Sequence, residues 1–205
     1  MRENALAGRN MKKLLIIALS LLFAACGGGG GTGGGSAKMD IKAGGRDTGL
    51  AIKSSGTDKS VKTFTDKEGK VTTATSFYAI MANYDMDTAN FASMKKTLTA
   101  PDQARVMLQL IGEEGTDQKS EFKPGTYKAD PAGKFMKLDS LVVTTFADGK
   151  EVATSFDTNF SASKITGQVV VKSVTADAIS GDIDVSEGDK SVKGAFTAKI
   201  AAPKK

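Results

Sequence analysis

The chain reads as an all-β protein, an antiparallel β-sandwich or a small β-barrel with at most one or two short helices. Three observations lead there. Apolar and polar residues alternate with a period of two through most of the C-terminal half, as strands with one face on a core and one in water require. Asp-Gly and Glu-Gly turn signals divide those stretches at short intervals. Thr, Ser, Val and Ala are abundant while Pro numbers only 4, a composition that suits strands better than a helical bundle.

Taken in order from Ala37, the first segments, Met39-Asp40-Ile41 and Leu50-Ala51-Ile52-Lys53, are short and weakly patterned. Asp66-Lys67-Glu68-Gly69 marks a turn. Val71 to Tyr84 follows, and its section Phe77-Tyr78-Ala79-Ile80-Met81-Ala82 is apolar on both alternations, as in a strand buried on both faces. Thr88 is placed to cap a short helix with Phe91, Met94 and Leu98 on one side. Between Ala104 and Ile111 two periods compete: Ala104, Met107, Leu108 and Ile111 have helical spacing, Val106, Leu108 and Leu110 strand spacing. A strand is preferred, because Lys123-Pro124-Gly125-Thr126-Tyr127 next offers a type II turn into another strand.

The later elements are plainer. Leu138 to Phe146 and Glu151 to Phe160 flank Ala147-Asp148-Gly149-Lys150, a hairpin. Three alternating strands then present Ile165, Gly167, Val169 and Val171, then Ile179, Gly181, Ile183 and Val185, then Val192, Gly194, Phe196, Ala198 and Ile200 to one face. Ser186-Glu187-Gly188-Asp189 joins the last two.

The N-terminal region is of another kind. Lys12 and Lys13 precede an apolar run from Leu14 to Phe23, small residues Ala24 and Ala25 follow, and then comes Cys26, the single cysteine. The run is about a dozen residues, short of the roughly 20 that a spanning helix needs. Phe23-Ala24-Ala25-Cys26 resembles the lipobox of bacterial lipoproteins, with Phe23 where Leu is usual. The resemblance covers the leader only. It implies a signal peptide over residues 1–25, with Met11 the better start and 1–10 outside the usual pattern. It implies a diacylated and N-acylated Cys26 as the first mature residue and a bacterial cell-envelope location. Gly27, where an Asp would signal inner-membrane retention, points to the outer membrane. Residues 27–36 are Gly-rich and read as a tether, with a reach of roughly 16–19 Å for ten such residues. Residues 37–205 form the expected single β-rich domain.

Charge and composition exclude several functions. The whole chain carries a formal +5. Arg2, Arg9, Lys12, Lys13 and Glu3 fall in the leader, so removing four basic and one acidic residue from 28 and 23 leaves 24 and 22, or +2. With that near balance and no basic cluster interleaved with aromatics, a nucleic-acid partner is not expected. The absence of His removes Ser-His-Asp and Cys-His catalysis and imidazole metal sites, and the glycine run lacks the Lys-Ser/Thr of a phosphate loop. Asp85-Met86-Asp87-Thr88-Ala89-Asn90 departs from a calcium loop at Ala89, Asn90 and Lys96, where a ligand, the turn Gly and the bidentate Glu belong. No metal or cofactor is expected. Asp182 and Asp184 share one face of a strand, the wet face of an amphipathic element or a carboxylate pair for acid-base work. Phe77, Tyr78, Met81 and Tyr84 are the candidates for an apolar pocket, with ordinary core packing as the alternative. The expected function is a lipid-anchored, non-enzymatic binding or interaction module with an envelope protein or lipid as partner. A carrier of a lipid or other hydrophobic ligand stands second, a carboxylate-dependent hydrolase third.

Overall fold

The computed structural model describes residues 37–160 and 162–200, and the leader, Cys26 and the tether lie outside the described residues. The strands are β1 (Lys38–Ala43), β2 (Arg46–Ala51), β3 (Ser54–Thr65), β4 (Val71–Ala82), β5 (Ala104–Ile111), β6 (Gly125–Lys128), β7 (Lys137–Ala147), β8 (Lys150–Phe156), β9 (Thr166–Val174), β10 (Ala178–Glu187) and β11 (Lys190–Lys199). They form one sheet in the order β2-β1-β11-β10-β9-β6-β7-β5-β4-β3, with β8 added on β7. The pairing is antiparallel apart from a parallel contact of β6 with β7 at Lys128 and Lys137. The sheet curls strongly into a half-barrel, so the all-β class read from the sequence holds.

The alternation explains which side is inside. Met39, Ile41, Leu50, Phe77, Ala79, Met81, Val106, Leu108, Leu110, Leu141, Val143, Val169, Val171, Ile179, Ile183, Val185, Val192, Phe196 and Ala198 belong to one buried cluster on the concave face. The strand reading of Ala104–Ile111 is the correct one, and the odd-even split of Phe77 to Ala82 has a tertiary cause. Phe77, Ala79 and Met81 face the concave core. Ile80 and Ala82 are equally buried but face outward, beneath the segment 83–103.

That segment is not helical as Thr88 suggested. Its only regular piece is a single 3-10 turn, Ser93–Lys95, and the side chain accepting its first N–H (Ser93 to Asn90 Oδ1, 2.9 Å) belongs to Asn90. Met94 and Leu98 are buried nonetheless, so the helical spacing marked burial correctly and secondary structure wrongly. The expected type II turn at Pro124-Gly125 is also absent. Gly125 does not adopt positive φ, and β6 starts at that residue.

Curling so long a sheet needs places where strands approach closely. β11 takes a positive φ at Gly194 (+136°), where an added Cβ would run into the Lys38 carbonyl oxygen on β1. Irregular register between Ser180 and Gly181 and between Gln109 and Leu110 adds local twist. Gly194→Ala is therefore expected to destabilise the fold by about 2 kcal/mol or more, read as a lowered urea midpoint. An unchanged midpoint would show that the close approach of β11 to β1 does not depend on the missing side chain.

Candidate functional site

The sheet's two flanks meet only briefly. Lys199 N–H, at the end of β11, donates to Ser55 Oγ on β3 at 3.1 Å, and β3 continues to Thr65 past the end of β11. Alongside that stretch lies a cleft of 870 Å³ between Thr57, Asp58 and Lys59 of β3, the turn Val174-Thr175-Ala176, Ile200, and the segment Gln118–Pro124. Phe77 and Phe122 line it, and Asp58, Lys59, Glu121 and Lys123 supply charge of both signs.

Phe77 and Phe122 of the floor belong to a stack of three rings. Phe122 lies on Phe77 (centroids 4.5 Å apart, 20° between planes) and on Tyr127 (5.1 Å, 16°). Such pairs contribute about 0.5–1.5 kcal/mol each beyond their burial. Tyr127 is almost wholly buried, and its hydroxyl donates to the Lys123 carbonyl at 2.8 Å, which locks the strap that carries Phe122.

The rim is held by local chemistry on the loop after β5. Gly112 N–H and Gly115 N–H bond the Thr75 and Thr73 carbonyls at 2.8 Å each, extending the β4 ladder past the end of β5. Thr75 then donates its hydroxyl to Asp117 O (2.6 Å). Asp117 Oδ1 accepts the N–H groups of Lys119 and Ser120 and the Ser120 hydroxyl, at 2.9 Å each. These bonds, the Ser120 side chain foremost, hold its carboxyl below the ordinary Asp range. Lys59 Nζ crosses to Ser120 O (3.1 Å), and Lys123 pairs with Glu113 (2.7 Å), which raises the lysine's pKa.

Of the four residues singled out for an apolar pocket, only Phe77 lines this cleft. Met81 is fully buried deeper in the core. Tyr78 and Tyr84 belong to the convex side. Tyr78 packs on Phe91 (5.1 Å between centroids), and the Tyr84 hydroxyl is buried with no hydrogen-bond partner among the described residues, burial raising its pKa. The structure thus divides the group across the sheet, as the period of two dictates.

Two convex-side clusters escaped the sequence reading. Arg105, buried, donates to Met94 O (3.2 Å) and Lys96 O (2.8 Å) and pairs with Glu151 (3.6 Å), whose other oxygen accepts Leu98 N–H (2.8 Å). This pair ties segment 83–103 to the sheet. Around the β7 irregularity, Lys137 and Asp139 are both buried. Asp139 meets Lys62 at 2.6 Å and Lys137 at 3.8 Å, while Lys137 Nζ also donates to Asn159 Oδ1 (2.8 Å). Burial lowers the Lys137 pKa against the pull of Asp139. Neither cluster shows in a linear pattern, since Arg105 lies far from Glu151, and Lys62 and Asn159 lie far from Lys137 and Asp139.

The carboxylates weighed as chemical pairs are engaged elsewhere. Asp182 pairs with Lys172 on the neighbouring strand, and Asp184 with Lys193 at 3.0 Å. In the calcium-like stretch, Asp85 meets Lys53 (2.7 Å), and Asp87 accepts Ala89 N–H (3.0 Å) and meets Lys96 (3.2 Å). Among the described residues no group of three or more metal-ligating side chains converges, and no helix is long and apolar enough to cross a membrane. Comparison with protein-family models, with curated proteins and with solved structures finds no match to this chain.

Two outcomes follow from these contacts. Arg105→Ala leaves Glu151 and two carbonyls without their partner and is expected to cost about 3–5 kcal/mol, with protease cleavage appearing between residues 84 and 103. Tyr127→Phe should cost about 1 kcal/mol at neutral pH through the lost hydrogen bond. It should also change the alkaline response. Burial, with a smaller contribution from Glu113, pushes the Tyr127 pKa above its usual 10.0, so the folded protein keeps a proton that the unfolded chain releases. The stability linked to that proton is present below pH 10 and lost above it. Denaturant midpoints from pH 9 to 11.5 should therefore fall less steeply in Tyr127→Phe than in the wild type; parallel slopes would contradict this.

Proposed function

We propose that the chain is a lipid-anchored protein of a bacterial cell envelope whose β-rich body is a non-enzymatic binding module, and that it binds at the cleft where the half-barrel stays open. The cleft is the observation that carries this reading. Its 870 Å³ lies within the roughly 300–1,000 Å³ of ligand sites, and it combines an apolar floor with a small set of fixed polar groups. The rim is held by hydrogen bonds rather than by loose side chains, which lowers the ordering cost of binding. The anchor rests on the lipobox resemblance at Cys26 and on the glycine tether after it.

A carrier of a lipid or other hydrophobic ligand is the second reading. The Phe77–Phe122–Tyr127 stack favours it, since flat apolar rings at the base of a cleft suit an apolar guest. Charged residues of both signs around the mouth favour a polypeptide partner and rank the module first.

Crosslinking of the lipidated full chain in its native membrane, with lipid extraction of the same sample, separates the two. A stoichiometric protein partner captured from a crosslinker at Ala176 supports the module, and a co-purifying lipid supports the carrier. Hydrolysis of an envelope polymer that disappears in Asp182→Asn or Asp184→Asn would overturn both. Cys26→Ala should abolish palmitate labelling and move the protein out of the membrane fraction. Labelling that persists in the variant would remove the lipobox assignment.

A further inference from the structure

We propose that the free edge of β3, from Lys59 to Thr65, takes up an extended segment of a partner polypeptide as an added strand, one of whose side chains lodges in the adjoining cleft. The inference rests on the binding-module reading and specifies how the module binds.

The register identifies the groups on offer. β3 pairs with β4 from Ser54↔Ala82 to Thr65↔Val71, and Asp66 N–H bonds Lys70 O at the hairpin end. Antiparallel pairing turns the backbone of alternate residues toward the partner. Asp58, Ser60, Lys62 and Phe64 therefore bond to β4, and Lys59, Val61, Thr63 and Thr65 aim their N–H and C=O groups away from it. The Lys59 carbonyl bears this out: it accepts the Gln118 side-chain N–H at 3.4 Å from the far side. Among the described residues no strand pairs with this edge, and the hydrogen bond that joins β11 to β3 lies at Ser55, N-terminal to the stretch from Lys59 to Thr65. β3 spans 12 residues, against 6 for β2 at the other end of the sheet.

Exposed edges are ordinarily guarded by charged side chains, Pro or a bulge. Here the register is uninterrupted and Pro is absent from β3. Its lysines do not guard the edge, because both are drawn aside. Lys59 Nζ is bound to Ser120 O at 3.1 Å, and Lys62 Nζ to Asp139 at 2.6 Å across the sheet. Between them Val61 is 37 % exposed.

The chemistry of the occupant follows. A row of alternating donors and acceptors at strand spacing is matched by another extended backbone. A lipid chain or a sugar does not repeat donors and acceptors in that order. The cleft begins at Thr57–Lys59 on the same edge, so a strand laid there places an alternate side chain over Phe77 and Phe122. Entry displaces only the long Gln118 bond.

The probe is a display library of ten-residue linear peptides, selected against the full lipidated chain in detergent micelles. Selected peptides are expected to slow hydrogen exchange at the Val61 and Thr63 amides. They should bind Val61→Pro at least tenfold more weakly, because that N–H faces the partner and not β4. Asp47→Pro, on the edge of β2, should leave binding unchanged. The exchange measurement on the wild type needs no variant, so a poorly folded Val61→Pro does not shield the proposal. Peptides that bind without protecting Val61 and Thr63, or selection that yields no peptide, overturn it. A dimer in sedimentation that Val61→Pro dissolves also overturns it, making the occupant a second copy. A lipid recovered from the cleft with no peptide binding removes this inference while leaving a ligand-binding role in place.

Discussion

A single antiparallel sheet buries an apolar core only by rolling until its own concave face closes over it. Everything else in this protein depends on that curl. The concave residues come from both ends of the sheet, Leu50 from β2 and Phe77 and Met81 from β4, and they share one core only because the sheet turns back on itself. Neighbouring strands come closest where side chains are missing, at Gly194 on β11 and Gly181 on β10, and the register slips at Ser180/Gly181 and at Gln109/Leu110 opposite β7. Pleat and twist alone would leave a more open sheet with part of its apolar side in water.

The roll stops short of closure, and that sets the character of the site. Ser55 and Lys199 make contact, and β11 ends there while β3 runs on, so the core's edge is exposed unless something covers it. The chain's answer is the strap after β5, which stacks Phe122 between Phe77 and Tyr127 and leaves a cleft above. The same strap fixes its own geometry through Thr75, Asp117 and Ser120, so the opening is shaped rather than collapsed. An open flank, an unpaired strand edge and a lined cleft are three aspects of one incomplete closure.

The convex side obeys a different rule. Water ordinarily covers it, and most of it carries Lys, Asp, Ser and Thr. Where β4 and β5 are apolar outward as well, segment 83–103 covers them, and Arg105 with Glu151 secures the cover through backbone carbonyls and an N–H. A lysine at Lys137 is likewise buried where the segment after β8 crosses the sheet, with Asp139 and Asn159 beside it. Charges so placed favour one arrangement over others more than they add net stability, because desolvation offsets much of their attraction.

By itself the sequence determined the all-β class and most of the strands, because period-two alternation and Asp-Gly turns are local signals. Val169, Ile183 and Val192 declare their face from neighbours two residues away, and the double-sided burial of Phe77 to Ala82 is visible as an unbroken apolar run. Only the tertiary structure decided what those apolar residues bury against. Phe77 reaches the cleft while Tyr78, next to it, lies on the opposite face under Phe91, and no linear pattern states that Phe122 will stack on Phe77 from the strap after β5. Met94 and Leu98 were legible as buried but not as irregular backbone, since spacing reports which side chains face inward and not which hydrogen bonds hold the chain. The cleft, the Arg105 tie and the free edge of β3 arise from pairings far apart in the chain, and register and closure are fixed by packing of the whole sheet rather than by any segment of it.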